Sequence, residues 1–155
     1  MHPNAELIQR FYQAFARRDG ATMRSAYHPE ATFDDPAFVG LRGGEIADMW
    51  EMLLARGKDL EITFSGVEAD DSRGKARWEA RYTFSQTGRK VHNIIDASFE
   101  FRDGKIVKHR DHFDFWRWSR QALGLPGYLL GWSPMLRGKV QATVKKALAA
   151  WRAKS

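Results

Sequence analysis

Apolar side chains recur at helical spacing at Leu7, Ile8, Phe11, Tyr12 and Phe15, which predicts a first helix from an Asn4 cap to about Arg18. Asp19-Gly20 ends it, and Ala21 to Tyr27 reads as a shorter second helix stopped at His28-Pro29. Thr32 to Phe38 is an extended piece broken at Asp34-Asp35-Pro36. Proline removes a ladder donor there, so the segment is an edge or a bend. Gly43-Gly44 opens a third helix, Glu45 to Arg56, with Ile46, Met49, Trp50 and Leu53 turned inward.

The period then changes from helical to alternating. Leu60, Ile62 and Phe64 alternate with polar neighbours up to a bulge signal at Gly66. Ala76, Trp78, Ala80, Tyr82 and Phe84 share one face of the next strand, and Val91, Asn93, Ile95, Ala97, Phe99 and Phe101 share one face of the strand after it. Arg102-Asp103-Gly104 is a tight-turn signal, and Lys105 to Trp118 reads as a long last strand. Three helices followed by a four-strand antiparallel meander is an α+β domain, with the helices gathered on one face of a curled sheet. Beyond it, Ser119–Gly124 is a helical turn and Leu125–Trp132 an apolar stretch broken by Pro and Gly. Ser133-Pro134 opens a final helix with Leu136, Val140, Val144, Ala147, Leu148 and Trp151 along one side.

Charge divides the chain at the same place. The net charge is +6, yet residues 1–116 hold 17 Lys or Arg against all 19 acids, and Arg117 onward holds eight bases and no acid. The chain therefore reads as a body of residues 1–118 and a basic amphipathic extension of residues 119–155. The extension's first expectation is packing on its own domain, with the Leu125–Trp132 stretch covering a pocket mouth. A lid over a neighbouring pocket and a membrane-surface helix follow. No specific nucleic-acid partner is implied. The absence of cysteine removes disulfide and thiolate chemistry, and the start lacks the basic and apolar regions of a signal peptide. No apolar run approaches the roughly 18 residues of a membrane span, so the expected location is cytoplasmic.

The candidate chemistry lies on the last strand. His109 and Asp111 form a polar pair on a face otherwise made of Val107, Phe113 and Phe115, with Arg110 and His112 on the opposite face. Such a pair either satisfies itself as a structural hydrogen bond or serves a pocket. A bulge would exchange Asp111 for His112 or Asp114. Trp50, Phe64, Trp78 and Phe113 suit a large apolar ligand or an ordinary core. Asn93 is the one polar residue on its strand's apolar face, and Asp35, before Pro36, reads first as turn chemistry and second as a pocket residue. The five histidines offer no metal-ligand spacing, and no Gly-rich phosphate loop is present, so neither a metal nor another cofactor is expected.

The order of elements, together with Phe11-Tyr12-Gln13-Ala14-Phe15, Arg18-Asp19-Gly20, Phe33-Asp34-Asp35-Pro36 and Phe99-Glu100-Phe101-Arg102-Asp103-Gly104-Lys105-Ile106, resembles the SnoaL-like branch of the NTF2-like superfamily over about residues 4–118. The resemblance implies a cone: a curved sheet wrapped around helices, with a pocket at the open end and frequent dimerisation through the sheet. It spans ketosteroid isomerases, polyketide cyclases, limonene epoxide hydrolases, dehydratases and non-catalytic binders, so it does not select a reaction. Asp111 falls where epoxide hydrolases of this fold carry a catalytic carboxylate. Their Arg and second Asp are missing from the inward positions Trp78, Ala80 and Tyr82, so that activity does not transfer. Asp111 with His109 is compatible with the Asp base and nearby His of polyketide cyclases.

The expectation is a homodimeric protein with an apolar pocket for a small hydrophobic carbonyl-bearing or cyclic molecule. Any chemistry would be cofactor-free proton transfer of isomerase or cyclase type. Asp111 would be the base, His109 its partner, and Tyr27 or Tyr82 the oxyanion donor. A ligand carrier with the same pocket, and an interaction module working through the basic tail, are the alternatives.

Overall fold

A computed structural model describes residues 1–154. Its order is α1 (Pro3–Ala16), α2 (Gly20–Ser25), β1 (Tyr27–Asp34), β2 (Leu41–Arg42), α3 (Gly44–Arg56), β3 (Glu61–Ala69), β4 (Arg73–Phe84), β5 (Arg89–Arg102), β6 (Lys105–His112), α4 (Phe115–Leu123), α5 (Leu125–Leu130) and α6 (Pro134–Ala153). The strands form one curved, unclosed sheet in the order β2-β1-β6-β5-β4-β3. The α+β class is as expected, but the sheet has six strands rather than a four-strand meander. β1 begins at Tyr27, where a helix end was expected, and joins β6 in parallel, with Phe33 opposite His109. Its pairing is irregular between Tyr27 and Thr32, the stretch that contains Pro29, which has no N–H to donate.

The helices follow their apolar faces. Leu7, Ile8, Phe11, Tyr12 and Phe15 of α1 are buried, as are Ile46, Met49 and Trp50 of α3. The α1 cap is His2 rather than Asn4: the His2 Nδ1 accepts from the Asn4 N–H at 3.0 Å. Asn4 sits inside the helix, and its Nδ2 donates to the Asp70 carbonyl at 3.0 Å, tying α1 to the β3–β4 turn.

The expected long strand stops at His112. Asp114 takes over as a helix cap, its Oδ1 accepting from the Arg117 N–H at 3.1 Å, and Phe115–Leu123 is helical. The aromatic run Phe113–Trp118 favours a strand by propensity, and the local cap overrides it. At the other end of β6 the turn forms as expected, with Asp103 and Gly104 at φ 54° and 72°. A one-residue bulge follows at Val107, because Glu100 faces Lys108 while Phe101 faces Ile106. Ile106 therefore takes the inward position expected of Val107. The bulge precedes His109, so His109 and Asp111 still share the inner face, at 1% and 3% exposure, with Arg110 and His112 outside.

The extension behaves as two parts. The second half of α6 lies on α3: Leu148 is buried, Val144, Ala147 and Trp151 pack on the core, and Arg152 Nε meets Asp48 Oδ2 at 2.8 Å. Gln141 Nε2 donates to the Pro36 carbonyl at 3.1 Å, which holds the segment after β1. The Leu125–Trp132 stretch does not form a buried cover. It folds into α5, stacks on α4, and leaves Leu125, Tyr128, Leu129 and Trp132 exposed.

Since Leu148 is the one fully packed side chain of α6, Leu148→Ala is expected to lower stability by about 2–4 kcal/mol and the melting temperature by several degrees. Thermal unfolding measures this, and an unchanged melting temperature would show that α6 does not support the core.

Candidate functional site

The inner face of the sheet converges on His109. Phe33 of β1 meets its ring edge-on at 4.9 Å between centroids, Phe99 of β5 lies 4.4 Å away, and Phe11 of α1 closes a third side at 5.9 Å. The Trp50 and Tyr27 rings stack beside it. Within this aromatic cage runs a chain of hydrogen bonds. Trp50 Nε1 donates to the Tyr27 hydroxyl at 2.9 Å, the hydroxyl lies 2.8 Å from His109 Nδ1, and His109 Nε2 lies 2.9 Å from Asp111 Oδ1.

Proton counting gives the chain a direction. An indole N–H can only donate, so the Tyr27 oxygen is already an acceptor from Trp50. An ionised Asp111 can only accept, so the His109 Nε2 proton goes to Oδ1, and in a neutral ring Nδ1 then accepts the phenolic proton of Tyr27. Trp78 Nε1 adds a longer donation to the same oxygen at 3.4 Å. One carboxylate oxygen is thus held by two donors. The other, Asp111 Oδ2, is buried and has no hydrogen-bond partner, and the buried Tyr12 hydroxyl is in the same condition. Burial pushes the Tyr12 and Tyr27 phenols well above the usual range, and the nearby Asp111 charge pushes them further. Both therefore remain protonated donors throughout the neutral range.

Asp35 stands at the end of this polar system. Its Oδ1 accepts from the Ala37 and Phe38 N–H groups at 2.7 and 2.5 Å, which is the turn chemistry expected before proline. Burial, opposed by those backbone hydrogen bonds and reinforced by the Asp111 charge, raises its pKa to about 7. Tyr82 belongs to this second group rather than to the His109 chain. Its hydroxyl accepts from Trp118 Nε1 at 2.8 Å; burial raises its pKa against that hydrogen bond, and Asp35 raises it further. The two tyrosines read from the sequence as alternative donors thus have different partners, His109 for Tyr27 and Trp118 for Tyr82.

The residues expected to line a ligand pocket lie in or beside this interior. Trp50 and Trp78 are buried in the core, Phe64 stacks on Tyr12 at 5.5 Å, and Phe113 packs partly buried against the same cluster. Asn93 is partly buried opposite Ala80. Two open cavities lie elsewhere. One, of about 1120 Å³, runs between α6, the N-terminal part of α3 and residues 37–41; the other, of about 550 Å³, is lined by Arg89, Lys90, Arg117, Arg120 and Gln121. Among the described residues, no group of three or more His, Cys, Asp or Glu side chains is placed to hold a metal ion. Tyr12 and Trp118 were not read from the sequence as site residues. Tyr12 sits at a helical core position where Phe would serve, and that hydroxyl was its only signal.

Asp35 supplies a pH test. Its native pKa of about 7 lies above the ordinary 3.8, so the folded state binds this proton more tightly than the unfolded chain. The resulting stabilisation is full below about pH 4 and is lost as the pH rises through 7. Asp35→Asn keeps the acceptor for Ala37 and Phe38 and removes the charge. It is expected to be more stable than the parent at pH 8, by at most ~4 kcal/mol before solvent screening, with the gain shrinking towards pH 4. Urea unfolding across that range checks it, and a pH-independent difference would contradict the shift.

Comparison with known proteins follows the same lines. A family model described as a SnoaL-like domain matches residues 8–109. No curated protein matches the chain. Among solved structures, a limonene-epoxide-hydrolase-like epoxide hydrolase of Mycobacterium tuberculosis is 20% identical with a TM-score of 0.65, covering 83% of this chain and 96% of its own. IdmH of Streptomyces antibioticus, a candidate polyketide cyclase, is 24% identical with a TM-score of 0.66, covering 80% and 100%. TerC, co-crystallised with polyporic acid, is 21% identical with a TM-score of 0.62, covering 73% and 92%. At these identities the structures establish the NTF2-like cone alone. The family match spans most of the chain, including β1, α3, β3–β5 and β6 as far as His109, and the chain belongs to the SnoaL-like domain family.

Proposed function

We propose that the cone interior receives a small hydrophobic molecule bearing a carbonyl or a ring, and that Asp111 moves a proton on it. The observation that carries this reading is the free oxygen of Asp111. Its Oδ1 is fixed by His109 and Trp78, while Oδ2 is buried and unpartnered. A carboxylate held on one side and bare on the other is a positioned base. Tyr27 and His109 orient it from behind, and Tyr12 is a second unpartnered donor in electrostatic reach of the same charge.

Asp35 complements this base. Asp35 lies within electrostatic reach of Asp111, and a carboxyl whose proton affinity is raised can serve as the acid beside a carboxylate base. With a pKa of about 7, Asp35 carries a proton for part of its time at neutral pH and can return one to the substrate or hold an enolate oxygen. The structural neighbour TerC was co-crystallised with polyporic acid, which supports a small organic ligand for this fold. The reading also includes a homodimer through the outer sheet face, where Arg77 pairs with Asp96 and His92 hydrogen-bonds Glu79.

The burial of His109 and Asp111 favours a second reading, in which the pair is a structural strut and the protein binds without chemistry. Deuterium exchange distinguishes them. A panel of cyclic ketones in D2O, followed by NMR, is expected to show exchange at the α-carbon, with Asp111→Asn slowing it by about 100-fold or more. If parent and variant are equally inactive on the panel, and native mass spectrometry finds a ligand carried by both, the non-catalytic reading holds.

A further inference from the structure

The most exposed apolar surface of the molecule adjoins its most basic cleft. On α5, the turn after it and the first turn of α6, Leu125, Tyr128, Leu129, Trp132 and Met135 are 55–72% exposed. This knob is rigidly mounted. A Cβ on Gly127 would overlap the Ser119 carbonyl, so α5 lies backbone to backbone on α4. Trp116 Nε1 donates to the Tyr128 carbonyl at 3.0 Å, and the two rings are 5.9 Å apart.

The cleft begins where the knob ends. Arg120 lies over the Trp116 ring at 4.2 Å, and its Nε is buried without a hydrogen-bond partner. Arg89 joins from the β4–β5 turn, its Nε donating to the Gln121 carbonyl at 2.8 Å, and Lys90 and Arg117 complete the lining of the 550 Å³ cavity. Four cations and no acid line it, and the nearest carboxylate along the chain, Asp114, is occupied as the α4 cap. No helix among the described residues is long and apolar enough to cross a membrane.

We infer that this face docks on an anionic lipid bilayer, with Leu129 and Trp132 entering the headgroup–acyl boundary and the cleft receiving a lipid phosphate. Aromatic and aliphatic side chains backed by Arg and Lys are the combination that interfacial anchoring requires. Charge decides against a second copy as the occupant, because a twofold contact through the knob would bring two basic clefts together. Such docking places the cone beside a membrane, from which a hydrophobic ligand of the kind proposed above could be drawn. The docking itself does not depend on that ligand.

Co-sedimentation with vesicles of equal parts phosphatidylcholine and phosphatidylglycerol tests it, using the full chain. The parent is expected to bind these vesicles with a blue shift of tryptophan emission, and to bind pure phosphatidylcholine at least about tenfold more weakly. Leu129→Ser with Trp132→Ser, and separately Lys90→Glu with Arg117→Glu, are each expected to weaken binding about tenfold or more at an unchanged melting temperature. Equal binding to both vesicle types, or none to either, overturns the proposal. So does millimolar inorganic phosphate occupying the cleft in a protein that ignores vesicles, or sedimentation showing that the knob variant splits a dimer while vesicle binding is absent.

Discussion

A carboxylate and an imidazole sealed inside an aromatic core set the terms for everything around them. Desolvating an ionisable pair costs several kcal/mol per group unless hydrogen bonds replace the lost water. His109 and Asp111 recover part of that through each other, Tyr27 and Trp78, and Trp50 recruits α3 into the same network. These contacts come from β1, β4, β6 and α3, so the polar chain fixes how the sheet curls over the helices. The bond left unmade, at Asp111 Oδ2, stands out against this otherwise closed network and gives the interior its chemical character.

Much of this was legible in the sequence. The parity of β6 placed His109 and Asp111 together on the inner face, and the alternation of β4 and β5 marked two long neighbouring strands, which pair from Arg73 opposite Glu100 to Phe84 opposite Arg89. Local signals that compete with one another misled. Phe113–Trp118 has the composition of a strand, but the Asp114 side chain offered the backbone a cap and the chain became helical. The His28-Pro29 pair reads as a stop, whereas β1 runs through it because β6 supplies a parallel neighbour far away in sequence. The partners of the site were harder still. Nothing in the pattern says that Tyr27 meets His109 while Tyr82 meets Trp118, since both assignments depend on which strand lies beside which.

The extension separates two physical roles that its composition blended. Its apolar stripe and its positive charge run through the same residues, yet the fold uses the stripe of α6 against α3 and leaves the apolar residues of α5 outside. Burial explains the first part and leaves the second unexplained by folding alone, since exposing Trp132 and Leu129 brings the folded chain no packing energy. The interior and the outer knob are therefore distinct features of the fold, the knob lying between α4, on which it stacks, and α6, which packs on α3.

The central claim is the direction of the proton chain that leaves Asp111 presenting one bare oxygen. Nitrogen chemical shifts of the His109 ring report it directly. The account predicts a single tautomer near neutral pH, with Nε2 protonated towards Asp111 and Nδ1 unprotonated as the acceptor from Tyr27. A ring protonated at Nδ1 would contradict it, because Tyr27 would then be the acceptor of two donors and its own proton would have to lie elsewhere.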